Sequence, residues 1–201
     1  MVMTASDMLP LGTAAPDFRL TDALSDRESS LADFPAAQPL LVMFICNHCP
    51  YVVHVRGEFA RLERDYAGRV SIVAINSNSV RTHPQDGPDA MRELARELGW
   101  GFPFLFDATQ EVAKAYHAAC TPDFFLFGAT AAATGARPLV YRGQLDGSRP
   151  GNNVPVTGCD LRAALDALLA GDSAGADQRP SLGCNIKWNP GNEPDYFAGG
   201  R

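Results

Sequence analysis

The sequence has no run of about 18 apolar residues, so we expect no membrane-spanning helix and no membrane partner. Basic residues are also few, because 17 Lys and Arg stand against 23 Asp and Glu and the formal net charge is −6. A nucleic-acid-binding surface needs clustered Lys and Arg, so that partner is not expected either. The N-terminal residues show no basic region followed by an apolar one, which favours a cytoplasmic location over secretion.

Cysteine is scarce as well, with five among 201 residues. An odd, scattered set does not suit a scaffold held by disulfides, and a reducing cytosol would keep most of the thiols free. The cysteines therefore direct attention to chemical reactivity.

The hydrophobic pattern predicts an α/β domain. Continuous apolar runs predict buried strands at 40–45, 70–76, 102–107 and 122–128. Helical spacing predicts helices at 49–67, 89–98, 108–119 and 158–170, the last capped by Thr157. Alternation over 138–145 predicts a hairpin with the preceding strand. This order gives a central mixed sheet with helices on both faces, its parallel part first and its antiparallel part last.

We expect a single domain with two appended segments. Residues 1–38 read as an N-terminal extension with short strands that belongs to the same domain. Residues 39–170 form its main body. Residues 171–201, rich in Gly, Pro and Asn, read as a C-terminal tail that is packed on the domain or partly disordered. The turn-rich loop 76–88 could overhang a site.

The most reactive-looking motif is FICNHCP, in which Cys46 and Cys49 flank His48 at the junction of a buried strand and a helix. Thiols three residues apart can form a small disulfide, and a helix N-terminus favours a thiolate on an exposed Cys46. We therefore predict that Cys46 attacks and Cys49 resolves. A cationic His48 would stabilise the Cys46 thiolate further and give a couple less reducing than thioredoxin.

Two other interpretations of this motif remain open. It could be half of a zinc site, although Cys120, Cys159 and Cys184 stand alone rather than as a second pair. The two cysteines could also be buried thiols without chemistry, because free cysteine is commonly buried.

Two longer matches identify a family resemblance. FICNHCP together with CTPDFFLF resembles the thioredoxin-like superfamily. LGTAAPDFRLTDALSDRESSLADF and FDATQEVAKAYHAACTPDFFLF resemble its redoxin branch, the alkyl hydroperoxide reductase/thiol-specific antioxidant (AhpC/TSA) proteins. The resemblance covers most of residues 10–170 and implies a thioredoxin-like fold. It also implies that Pro122 is a cis-proline and that the backbone of Thr121 meets substrate thiols.

The sequence departs from this family pattern at two positions. Leu40 stands at or near the place of a buried Asp that thioredoxin carries on the strand leading to its dithiol. Met43 stands where typical peroxiredoxins carry Thr or Ser, three residues before the peroxidatic cysteine. These departures put efficient disulfide reduction and peroxide reduction, respectively, in question.

Two further cysteines are candidate redox residues. Cys120, two residues before Pro122, is either a third redox thiol or a small core residue. Cys184, in the segment SLGCNIKW, either reaches the dithiol as an extra resolving thiol or simply packs. The sequence leaves both alternatives open.

The sequence thus predicts a thiol–disulfide oxidoreductase that acts through Cys46 and Cys49. We expect protein or small-molecule thiols and disulfides as partners, an unidentified reductant, no cofactor and no bound metal, in a monomer or homodimer. One alternative is a peroxiredoxin-like antioxidant that reduces hydroperoxides through Cys46. Another is a copper-binding protein of the same fold, with the two cysteines and a histidine as ligands.

Overall fold

The structure is a computed structural model that describes residues 3–196. Ten strands and four α-helices are assigned within those residues. The strands are β1 (Met3–Ala5), β2 (Arg19–Asp22), β3 (Glu28–Ser30), β4 (Leu40–Phe44), β5 (Ser71–Asn76), β6 (Phe104–Phe106), β7 (Cys120–Thr121), β8 (Asp123–Phe127), β9 (Leu139–Gly143) and β10 (Leu182–Asn185). The helices are α1 (Pro50–Asp65), α2 (Pro88–Leu98), α3 (Glu111–Ala115) and α4 (Cys159–Ala170).

Seven strands form the main sheet, in the order β3-β2-β6-β5-β4-β8-β9. β4, β5 and β6 are parallel, whereas β8 and β9 are antiparallel, so the predicted parallel and antiparallel parts are confirmed. The predicted α/β thioredoxin-like architecture is also confirmed. The sequence did not predict that β2 and β3 extend this sheet as an antiparallel hairpin.

Side chains of β4 alternate between the two cores, as the period of a strand requires. Leu41 and Met43, together with Ile45 just after the strand, face the core that packs against α1, α2 and α4. Leu40 and Val42 face the other core, which includes α3. All five are fully buried, and this burial on both faces explains why the strand is a continuous apolar run.

Two details of the predicted helices are wrong. The helix expected at 108–119 is confined to α3, because Gln110 (φ 67°) precedes it and His117 (φ 51°) follows it, both in the left-handed region. Thr157 does not cap α4. Instead, the carboxylate of Asp146 accepts the backbone N–H groups of Thr157 and Gly158, each at 2.7 Å.

The tail returns to the body of the domain. β10 pairs antiparallel with both β1 and β7 in a separate three-stranded sheet. In this register Cys184 lies opposite Thr121 and Asn185 opposite Cys120. The tail therefore lies beside the segment that the sequence singled out as facing the dithiol. The predicted tail also includes residues 197–201, which lie outside the described residues.

Candidate redox site

The two cysteines of the motif lie where strand β4 leads into helix α1. Cys46 follows the strand by two residues, and Cys49 is the residue that immediately precedes the first helical residue, Pro50. Both thiols are free, and their side chains hydrogen-bond to each other. Cys46 and Cys49 can therefore form a disulfide at the junction of β4 and α1.

Thr121 is the partner of both sulfurs. Its hydroxyl lies 3.4 Å from the sulfur of Cys46, and its carbonyl oxygen accepts a hydrogen bond from the Cys49 thiol at 3.1 Å. The Thr121–Pro122 peptide bond is cis, as the family resemblance implied. The structure therefore places four of the predicted site residues in one buried group.

Cys46 is less accessible than the sequence suggested. It is 1% exposed rather than open to solvent. Its hydrogen bond with Cys49, its burial and the negative charge of Asp86 together raise its pKa well above the ordinary value. The surroundings of Cys46 therefore disfavour its thiolate, contrary to the prediction from the sequence.

His48 has a carboxylate neighbour that the sequence analysis missed. Its Nδ1 atom lies 2.7 Å from Oδ2 of Asp86, whose side chain is fully buried. The imidazole also stacks on His83, with ring centroids 4.9 Å apart. A positive charge on His48 would be offset by Asp86, so the pair cannot act on Cys46 as an isolated cation would.

Asp86 is held by amide groups from two segments. Its Oδ1 accepts the backbone N–H of Asn47 at 2.9 Å, and its Oδ2 accepts the side chain of Asn78 at 2.8 Å. Asn76, at the end of β5, donates to its backbone carbonyl at 2.7 Å. The loop 76–88 thus does reach the site, as predicted. Asp86 could have been suspected only from its place in that loop.

Cys184 contacts the dithiol from the tail. Its thiol hydrogen-bonds with the sulfur of Cys49, and this contact and the Cys46 contact are the two largest causes that lower the pKa of Cys49. The Thr121 carbonyl acts in the opposite direction, because an acceptor that faces the sulfur favours the protonated thiol. The protonated Cys49 thiol is thus held by Thr121, and the Cys49 thiolate is stabilised by the two neighbouring thiols.

Gly183 explains how β10 comes so close. A Cβ atom on Gly183 would overlap the carbonyl oxygen and carbon of Thr121. Only glycine, which has no side chain, permits this approach of one backbone to the other. No pattern in the sequence indicated this role of Gly183.

Cys120 is buried beside the site, and its sulfur lies 3.7 Å from the carbonyl oxygen of Pro122. Burial, followed by the charges of Asp123 and Cys49, raises its pKa well above the ordinary value. These surroundings fit a core residue better than a nucleophile. The exposed Cys159 lies outside the group, at the start of α4.

In the part of the chain that the structure describes, no helix is both long and apolar enough to cross a membrane.

Residues 11–134 match the AhpC/TSA family. An uncharacterized conserved protein from Geobacillus kaustophilus is 51% identical, with a TM-score of 0.88 over 94% of this chain and 98% of that one. A hypothetical protein from Sinorhizobium meliloti is 49% identical, with a TM-score of 0.87 over 94% and 100%. A putative thiol:disulfide interchange protein DsbE from Chlorobium tepidum shares the fold, at 21% identity and a TM-score of 0.58 over 80% and 99%. A comparison with curated proteins finds no match.

Proposed function

Because this chain belongs to the AhpC/TSA family of the thioredoxin-like superfamily, we propose that it is a thiol–disulfide oxidoreductase whose active dithiol is Cys46 and Cys49. The observation that carries the proposal is the contact of two free thiols with each other and with Thr121. Family membership supports thiol-based redox chemistry in general, and this geometry favours the dithiol form of it.

The reaction would proceed in two exchange steps. The Cys46 sulfur, as a thiolate, attacks a substrate disulfide, forms a mixed disulfide and releases one substrate thiol. Cys49 then loses its proton and attacks the Cys46 sulfur. The Cys46–Cys49 bond forms, and the second substrate thiol leaves. The Cys184 thiol, the largest cause that lowers the pKa of Cys49, remains beside Cys49 in this second step and favours it.

Peroxide reduction is the less favoured activity, because Met43 stands where typical peroxiredoxins carry Thr or Ser. A peroxidatic cysteine must be a thiolate, which a nearby cation would stabilise. The charged side chain that acts most strongly on Cys46 is instead the carboxylate of Asp86, which raises its pKa. We therefore expect reduced protein to consume hydrogen peroxide only at millimolar concentrations in stopped-flow measurements, and rapid consumption would favour the antioxidant alternative.

Trapping the mixed disulfide tests the proposed function. In Cys49→Ser, Cys46 has lost its resolving partner, so treatment with oxidised glutathione should release one glutathione and leave the other on Cys46 as a mixed disulfide. Peptide mapping after an acid quench should find glutathione on residue 46, and Cys159→Ser should behave as the wild type does. The proposal fails if Cys46 of the variant stays fully open to alkylation under denaturing conditions after this treatment.

One observation favours a second candidate function, binding of a transition metal. The Cys46 sulfur, a His48 ring nitrogen and an Asp86 carboxylate oxygen all lie within 4.8 Å of one another. Thiolate, imidazole and carboxylate together suit Zn²⁺ better than the Cu(I) expected from the sequence, because a carboxylate is a hard ligand. Stoichiometric metal in protein purified without chelator, lost in Asp86→Asn, would support this candidate. Metal-free protein that takes up no added zinc would remove it.

A further inference from the structure

Three cysteines, rather than two, meet at the site. Cys49 has two cysteine hydrogen-bond partners, Cys46 and Cys184. Two of the sulfurs come from the junction of β4 and α1, and the third comes from a strand more than 130 residues further along the chain. Cys49 is therefore in contact with two possible disulfide partners.

The position of Cys184 is fixed by backbone pairing. It lies in β10, opposite Met3 of β1 and opposite Thr121 of β7. Thr121 is also the residue whose carbonyl accepts the Cys49 thiol. The sulfur of Cys184 is thus held beside Cys49 by a sheet, with Gly183 permitting the close approach.

This placement differs from that of the other two cysteines. Cys120 points its sulfur towards the carbonyl of Pro122, and Cys159 is exposed at the start of α4. Neither Cys120 nor Cys159 is one of the hydrogen-bond partners that shift the pKa of Cys49. Of the three cysteines outside the motif, Cys184 is the one placed for exchange with it.

We propose that Cys184 is a second resolving cysteine, which takes over the disulfide from Cys46 by forming a Cys49–Cys184 bond. The inference rests on the proposed function, because the Cys46–Cys49 disulfide is its starting point. It gives the tail strand a place in the redox cycle in addition to its structural role.

The exchange step balances without an added oxidant. Cys184 gives up its proton, and its sulfur attacks the Cys49 sulfur of the Cys46–Cys49 disulfide. The Cys49–Cys184 bond forms, the Cys46–Cys49 bond breaks, and Cys46 leaves as a thiolate that takes up a proton. The number of disulfides is unchanged. Cys46 is again a free thiol, and a reductant would regenerate the protein by attacking the tail disulfide.

Disulfide mapping tests this step directly. Trypsin is expected to leave Cys46 and Cys49 together in residues 28–56 and Cys184 in residues 163–187, because no Lys or Arg lies within 28–55 and Arg179 precedes proline. A Cys49–Cys184 bond therefore cross-links two peptides, whereas a Cys46–Cys49 bond does not. The protein would be oxidised with glutathione, acid-quenched, alkylated and digested.

In Cys46→Ser, we expect oxidation to cross-link the two peptides and to remove Cys49 and Cys184 from alkylation together. In Cys184→Ser, the cross-link should be lost and the Cys46–Cys49 disulfide kept. Cys159→Ser is the matched control and should match the wild type, in which both disulfides should be found. Because Cys46→Ser and the wild type retain Cys184, these measurements hold even if Cys184→Ser fails to fold.

The two proposals fail in different ways. If Cys49 and Cys184 of Cys46→Ser stay reduced at every glutathione ratio while the wild type forms Cys46–Cys49, the second resolving role is overturned and the proposed function stands. If the wild type forms no Cys46–Cys49 disulfide, the proposed function itself is overturned.

Discussion

The Cys49 sulfur lies 3.1 Å from the carbonyl oxygen of Thr121, which is 72 residues away in the sequence. This contact joins the dithiol to the short strand β7, and through β7 to the tail strand β10. The site is therefore formed by three distant segments, and a change in any one of them should be detectable in the others.

Gly183→Ala should destabilise the protein, because the added methyl group would overlap the Thr121 carbonyl. Overpacking of this kind costs about 1–3 kcal/mol, and here the obstacle is backbone rather than a flexible side chain. Urea unfolding would measure the loss.

Gly147→Ala is the matched control, because Gly147 is exposed and no atom lies within 4 Å of its added Cβ. We expect the control to stay within about 0.5 kcal/mol of the wild type. Equal stability of both variants would contradict the close approach of β10 to β7.

Asp86→Asn should lower the pKa of Cys46, since the negative charge of Asp86 is one of the causes that raise it. The pH profile of iodoacetamide labelling would show this in a Cys49→Ser background, where Cys46 is the only cysteine of its tryptic peptide. We expect the midpoint to move to lower pH.

Asp89→Asn serves as the control for this measurement, because Asp89 is a highly exposed carboxylate on α2. An unchanged or higher midpoint in Asp86→Asn would show that Asp86 acts on Cys46 through His48 rather than by its own charge.

Asp123→Asn should change how stability depends on pH. Burial raises the pKa of Asp123 well above its ordinary value, so the fold favours the protonated carboxyl. Stability from this group is present below the unfolded pKa of about 3.9 and is lost as the pH rises towards the folded pKa. The unfolding free energy of the variant minus that of the wild type should therefore grow above about pH 4.

Within that window the difference should grow by roughly 1.4 kcal/mol for each pH unit. Urea midpoints between pH 4 and pH 8 would follow it, with the exposed Asp177→Asn as control. A difference independent of pH would mean that Asp123 has the same pKa in the folded and unfolded states.

Much of this fold can be predicted from the sequence, because buried strands and amphipathic helices carry periodic patterns. β4 and β5 are apolar on both faces and are visible as continuous runs. The extent of α3 was not visible, since its end depends on the left-handed conformation of His117. Helical spacing alone gives no sign of that conformation.

The residues of the site also differ in whether the sequence could predict them. The local motif of Cys46, His48 and Cys49 was identifiable because its residues are neighbours in the sequence. The contributions of Asp86 and Gly183 depend on tertiary contacts with His48 and Thr121. No spacing rule connects such distant positions, so they became visible only in the folded chain.

The most direct test of the central claim is a redox titration of the wild type against glutathione, with alkylation of Cys46 and Cys49 as the readout. We expect a reversible two-electron transition of this pair. Because the neighbouring thiols stabilise a thiolate at Cys49, the reduced form is favoured and the potential should lie above about −270 mV, the value of thioredoxin. A lower potential would contradict only the inferred stabilisation of the Cys49 thiolate. Full alkylation of both cysteines at every glutathione ratio would contradict the dithiol mechanism itself.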